Sequence, residues 1–259
     1  MTRHVTSADG TRIAVERAGS GPALIIVDGA GCSRLLGASL EWAPLLSSQF
    51  TVYTYDRRGR GESTDTAPYA MERELDDLRA VIGVAGEAPY LAGFSTGAVL
   101  TRFAVEAGVP TSGIALFEPP LLAVGDHDEH LGALIDAGKN SAAVFYWMTR
   151  VVGMSRTSIR LMRLLARRSW PLLVAAAPTL RYDLALLERA GFEPRPDPTG
   201  RFVPTLVLGG EGSPARLREA TEQTAAVIPG SRLRWLPSQG PRVAPAIVTT
   251  AITEFFAPG

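Results

Sequence analysis

Five short, mostly apolar runs recur along this chain of 259 residues, at 23–27 (ALIIV, apolar throughout), 51–55 (TVYTY), 90–94 (YLAGF), 113–117 (GIALF) and 204–208 (PTLVL). Runs this short, without polar alternation, suit strands buried on both faces of a parallel sheet. Helical periodicity fills the gaps: 72–84, with Leu75, Leu78, Val81 and Ile82 on one face, then 96–107, 214–228 and 244–256. Residues 11–17, after the Asp9-Gly10 turn, read as an edge strand, and 232–236 as a further strand. Strand and helix in alternation predict an α/β fold, a mostly parallel central sheet flanked by helices. From 121 to about 200 the rhythm stops and only helical patterns remain. The chain therefore divides into a core domain, 1–120 with 201–259, and an inserted helical cap, 121–200.

Charge and composition narrow the function. Lys+Arg and Asp+Glu are both 26, so the basic excess of a nucleic-acid binder is missing. No run of about 18 apolar residues is present to span a membrane, and the first ten residues hold no signal-like stretch, which predicts a cytoplasmic protein. Cys32 is the single cysteine, which excludes an internal disulfide and a cysteine zinc cluster. Asp126-His127-Asp128-Glu129-His130 has metal-ligand residue types, but its density and polar setting read as a solvated loop, so no metal is expected. Gly59-Arg60-Gly61 and Gly209-Gly210 lack the strand–helix glycine pattern of a nucleotide loop, and no cofactor is expected. Lys139 is the only lysine among the 26 basic residues, a usage that suits a high-GC bacterial genome.

Chemistry concentrates at Gly93-Phe94-Ser95-Thr96-Gly97, a G-x-S-x-G segment between an apolar strand and a helical stretch. Glycines there permit a tight strand-to-helix turn that presents the serine hydroxyl at the strand's carboxyl end. The helix N-terminus adds backbone N–H donors for a developing oxyanion.

With these residues the chain resembles the α/β-hydrolase superfamily over nearly its full length. Asp56-Arg57-Arg58-Gly59-Arg60-Gly61-Glu62-Ser63 is similar to that family's D-x-R-G-x-G-x-S turn, and Val27-Asp28-Gly29-Ala30-Gly31 stands where H-G-x-G is usual. The resemblance implies a lid over the pocket, Ser95 as nucleophile, and an oxyanion hole built from the N–H groups of Ala30 and Thr96. It also exposes departures. The histidine expected after the last strand is replaced, with Pro241 at its position in the loop 237–245. Only His4, His127 and His130 remain, and the last two reach Ser95 only if the cap folds tightly over it. Ser213 takes the usual acid slot, which leaves Glu211, or Glu118 at the end of the 113–117 strand, as the acid. Asp28, in place of the family's histidine, is a candidate base with a raised pKa, or else a carboxylate bonded to loop amides. Cys32 reads as a small core residue rather than a nucleophile.

A serine without a base is a poor nucleophile. The reading that follows is an enzyme acting on a small, largely apolar molecule by non-hydrolytic acid–base chemistry, of isomerase, cyclase or lyase type, with Ser95, Asp28 and Glu118 as catalytic groups. Family resemblance implies a setting in bacterial specialised metabolism. A slow serine hydrolase with a substitute base and a non-catalytic binding module are the alternatives. Phe145, Tyr146, Trp147, Met148, Trp170 and Tyr182 of the cap are either pocket lining or plain core. The stretch 155–168 places Arg156, Arg160, Arg163 and Arg167 on one helical face, read as a cap helix with a solvated side.

Overall fold

The computed structural model describes residues 2–121, 127–190, 200, 202–238, 240 and 242–257. Its strands are β1 (Arg3–Thr6), β2 (Arg12–Ala18), β3 (Ala23–Val27), β4 (Thr51–Tyr55), β5 (Tyr90–Phe94), β6 (Gly113–Phe117), β7 (Thr205–Gly210) and β8 (Arg232–Leu236). They form one sheet in the order β1-β2-β4-β3-β5-β6-β7-β8. β2 runs antiparallel to both β1 and β4, and the remaining pairs are parallel. The edge therefore belongs to β1, which carries His4, and the strand expected at the edge lies one place inside it.

Alternate residues of the central strands serve two hydrophobic layers, because successive side chains point to opposite faces. Leu24 and Ile26 pack with Trp42, Leu46 and Phe256. These come from α1 (Ala38–Leu46) and α10 (Pro245–Phe256). Ile25 and Val27 pack on the other face with Leu78, Val99 and Phe103. These belong to α2 (Met71–Ala85) and α3 (Thr96–Glu106). Pro44 interrupts the apolar rhythm of α1, which is why that helix was not legible by periodicity.

Among the described residues, five α-helices stand between β6 and β7: α4 (His127–Asp136), α5 (Asn140–Tyr146), α6 (Arg156–Leu165), α7 (Ser169–Ala176) and α8 (Leu180–Arg189). A π-helical turn, Trp147–Val151, follows α5. Leu131, Val144, Trp147, Ile159, Leu184 and Leu187 join these helices to the layer over α3. The core resumes with β7, α9 (Ala215–Val227) and β8. Among the described residues, no helix is long and apolar enough to cross a membrane.

In-register pairing sets up the site. Val27 lies beside Gly93, and Phe94 beside Phe117. The loops leaving β3, β5 and β6 consequently emerge along one rim of the sheet, where open α/β sheets bind ligands.

Candidate active site

Ser95 occupies the turn between β5 and α3 with φ 54° and ψ −124°, a conformation that side-chain-bearing residues rarely hold. Its amide donates to the Phe117 carbonyl at 3.0 Å, tying the turn to β6. The flanking glycines answer to close approach rather than to positive φ. A Cβ on Gly97 would lie 2.1 Å from the Val27 carbonyl oxygen, and one on Gly93 would lie 2.5 Å from the Ala98 Cα. Gly29 is pressed less tightly from the other side, where a Cβ would lie 3.0 Å from Ser95 Cβ. The loop after β3 thus abuts the serine turn because Gly29 and Gly97 have no side chain, while Gly93 makes room for α3.

That loop is oriented by buried charge. Arg60 Nη1 donates to the Gly29 carbonyl at 2.8 Å, and Arg57 Nη1 to the Asp28 carbonyl at 3.4 Å. A trans peptide sets its C=O and N–H on opposite sides. With the Gly29 carbonyl held by Arg60, the Ala30 N–H faces away from the guanidinium. Neither that amide nor the Thr96 amide donates a backbone hydrogen bond to another described residue. Thr96 lines the Ser95 cavity, whereas Ala30 stands outside that wall, on the loop that Gly29 packs against Ser95.

Asp183 of α8 completes the arrangement. Its Oδ1 accepts from Thr96 Oγ1 at 2.8 Å and from Arg57 Nη1 at 2.8 Å, and its Oδ2 accepts from Arg60 Nη2 at 2.7 Å. Glu74 pairs with the other edge of Arg57 through two 2.6 Å contacts, and Thr179 Oγ1 accepts from Arg60 Nε. All of these groups are buried. Burial alone would raise the Asp183 pKa, but the charges of Arg60 and Arg57 outweigh it and hold the carboxyl below its ordinary value. Sequence reasoning missed Asp183. The available signal was its place on an apolar stripe, with Leu180, Leu184 and Leu187 at helical spacing, because a carboxylate on such a stripe must be paired.

Ser95, Thr96 and Glu118 line one cavity of about 490 Å³, closed over by Trp147, Met154 and Leu187 of the insertion. Glu118 leaves β6 with φ 49°. Its Oε1 accepts from the Ser213 hydroxyl and from the Gly210 amide at 3.3 Å. Burial raises its pKa, against the pull of those two hydrogen bonds. Ser213, in the loop slot where an acid was expected, is thus the partner of the acid on the neighbouring strand.

Asp28 is placed differently. Its Oδ1 accepts from the Ser39 amide at 3.1 Å, at the start of α1, and the carboxyl is not part of this cavity's wall. Helix N-terminal amides attract a carboxylate, and here they draw Asp28 away from the serine's side of the loop. Oδ2 is buried without a partner, and burial raises the pKa to about 7 in spite of the Ser39 hydrogen bonds. Burial likewise pushes the Cys32 thiol up.

None of the three histidines lines the cavity. His4 Nε2 lies 3.4 Å from the Glu62 carbonyl, on β1. His127 Nδ1 is 2.8 Å from the Tyr146 hydroxyl, and the His130 ring lies 4.4 Å from the Tyr146 ring. Tyr146 thereby occupies the two rings that only a cap folded tightly over Ser95 would have brought inward. Glu211 is exposed and also outside this wall. Pro241 and Asp126 fall outside the described residues. Of the cap aromatics, Trp147 lines the cavity. Tyr182 stacks on Tyr69 at 4.0 Å, and Phe145 and Trp170 underlie the guanidinium groups of Arg156 and Arg163.

Known proteins share this fold. The solved structure of an alpha/beta hydrolase from Sphaerobacter thermophilus has 39% sequence identity, covering 98% of this chain and 100% of that one, with a TM-score of 0.87. A thermophilic esterase from Thermogutta terrifontis, solved with malate bound, has 24% identity, 98% and 97% coverage and a TM-score of 0.71. The enol-lactonase from Burkholderia xenovorans has 17% identity, 98% and 99% coverage and a TM-score of 0.70. A shorter match, 41% identical over 88 residues, is to the protein named "Probable oxidoreductase EphD" from Mycobacterium tuberculosis, covering 32% of this chain and 14% of that protein's length. The model of the alpha/beta hydrolase family matches residues 24–246, most of the chain. Its strand order, its serine turn and that match agree: this protein belongs to the alpha/beta hydrolase family.

Proposed function

We propose that this chain is a cofactor-independent enzyme that moves a proton on a small, mostly apolar carbonyl compound, without forming an acyl-enzyme. The observation that carries the reading is the cavity wall that joins Ser95 to Glu118, while every histidine of the chain lies off it. With no imidazole to accept its proton, the Ser95 hydroxyl serves as a hydrogen-bond donor to the substrate rather than as a nucleophile. The substrate's carbonyl oxygen sits at the Ala30 and Thr96 amides. The Glu118 carboxylate removes a proton from the adjacent carbon, and the two amides hold the enolate oxygen. Glu118 returns the same proton to a different carbon or face, so isomerisation balances without an external reagent. Elimination proceeds from the same enolate when a β substituent leaves and takes the proton held by Glu118. Carbon–carbon cleavage enters the enolate from the other side, a β-hydroxyl giving its proton to Glu118 as the Cα–Cβ bond breaks and the enolate taking that proton back at Cα. Because Glu118 must be ionised to act and its pKa is raised, the rate climbs with pH through a midpoint above the ordinary glutamate range.

Intact-mass labelling with a fluorophosphonate tests the reading. The folded wild type is expected to carry no stoichiometric adduct. An adduct that disappears in Ser95→Ala would overturn the proposal and establish an activated serine. The competing reading, a serine hydrolase with a substitute base, draws on the strained Ser95 backbone and on the esterase and lactonase named among the structural neighbours. It predicts that adduct, together with an acid product from simple esters.

A further inference from the structure

Between Asp136 and Asp183 the chain runs through 46 residues with eight basic side chains and no acidic one, although the whole protein is balanced at 26 of each sign. Helix α6 lies within that stretch. Ile159 faces inward and is fully buried, with Met162 half-buried beside it. Arg156 and Arg163 lie along the next stripe, spread over Phe145 and Trp170. Opposite Ile159, Leu161, Leu164 and Leu165 are 54%, 59% and 73% exposed. The arginines expected to form a solvated face therefore form a flank, and the outermost stripe is leucine.

We propose that α6 and the turn after it form a docking surface for an anionic lipid bilayer. Exposed leucines on a helix flanked by arginines match the pattern of a helix lying in a membrane interface, apolar stripe among acyl chains and guanidinium groups at the phosphates. The charge argues against a second copy on this face. Arg160, Arg167 and Arg168 are exposed around the leucines, and a two-fold contact would set them against one another with no carboxylate from the stretch between. The leucines argue against nucleic acid, which takes the charge and rejects the apolar stripe. The same helix reaches the substrate cavity, since Ser155 and Ser158 at its start line that wall. A docked molecule would thus hold its cavity beside a source of apolar molecules. The proposal stands on the surface alone and is independent of the reaction assigned to Ser95 and Glu118.

Vesicle flotation at low salt tests it, with phosphatidylcholine vesicles set against vesicles that also contain phosphatidylglycerol. Wild type is expected to float with the anionic vesicles only and to be released by salt. The triple variant Leu161→Ser, Leu164→Ser, Leu165→Ser is expected to lose about tenfold or more in partitioning while keeping its circular-dichroism melt. Arg160→Gln and Arg167→Gln each cost about fivefold. If the leucine variant fails to fold, the arginine variants decide. Failure of wild type to float with anionic vesicles overturns the proposal, as does binding that none of these variants weakens. An α6-dependent dimer in light scattering, or binding to a DNA or RNA oligonucleotide that the leucine variant retains, overturns it in favour of another occupant.

Discussion

The loop after β3 separates two buried carboxylates that the protein treats in opposite ways. On the insertion side, Asp183 has both oxygens occupied by Arg57, Arg60 and Thr96, and stays ionised. On the α1 side, Asp28 has one oxygen on the Ser39 amide and the other bare, and its pKa rises to about 7. Burial is complete for both, so it does not distinguish them. Two guanidinium groups do. The ionised side is also the side that holds the loop after β3, because Arg60 donates to the Gly29 carbonyl with one amino group and to Asp183 with the other.

The comparison breaks most sharply at Asp183→Ala. Two buried cations lose their shared partner, and such a loss costs about 3–5 kcal/mol. A urea melt is expected to show it, with Asp183→Asn losing less; a melt no worse than that of an exposed-leucine variant would refute the account.

Asp28 sharpens the opposite half. The folded protein binds a proton there that the unfolded chain, near 3.8, has released, so stability falls as pH rises from about 4 to about 7 and is flat above. Asp28→Asn is expected to match wild type near pH 4 and to gain on it up to pH 8, by on the order of 2–4 kcal/mol at about 1.4 kcal/mol per unit. Melting temperatures of both proteins at the two pH values measure the crossover, and parallel pH profiles would remove Asp28 as its source.

Ser95→Gly probes the strained turn between the two sides. Glycine tolerates φ 54° without a side-chain penalty, so the variant is expected to be more stable by ~1 kcal/mol while losing the hydroxyl. A destabilised variant would place the constraint elsewhere. The smallest effect concerns Cys32, on the Asp28 side. With its thiol pushed up, iodoacetamide at pH 8 is expected to alkylate the native protein several-fold more slowly than the urea-unfolded chain. Equal rates would show that the α1 side is open to solvent.

Much of this architecture is legible in residue order. The runs at 23–27, 51–55, 90–94 and 113–117 are strands at those bounds, because a doubly buried strand is mostly apolar. The run at 204–208 begins and ends slightly later, as Thr205–Gly210. Gly93 and Gly97 announce the serine turn. α1 was not legible, because Pro44 and a short span obscure its period, and neither was β1, whose residues are mostly exposed.

The site divides along the same line. Local sequence by itself determined Ser95, its turn, the Thr96 amide and the absence of a histidine after β8, since each depends on neighbours within a few residues. The loop that carries Ala30, by contrast, reaches the serine through the pairing of β3 with β5. Tertiary structure alone decided which carboxylates stand around the serine turn. Glu118 faces the cavity because β6 lies beside β5, and Asp28 does not because α1 draws it away. Asp183 joins from 87 residues beyond Thr96 because α8 packs on α3. A charge finds its partner across space, and spacing along the chain carries no record of that distance.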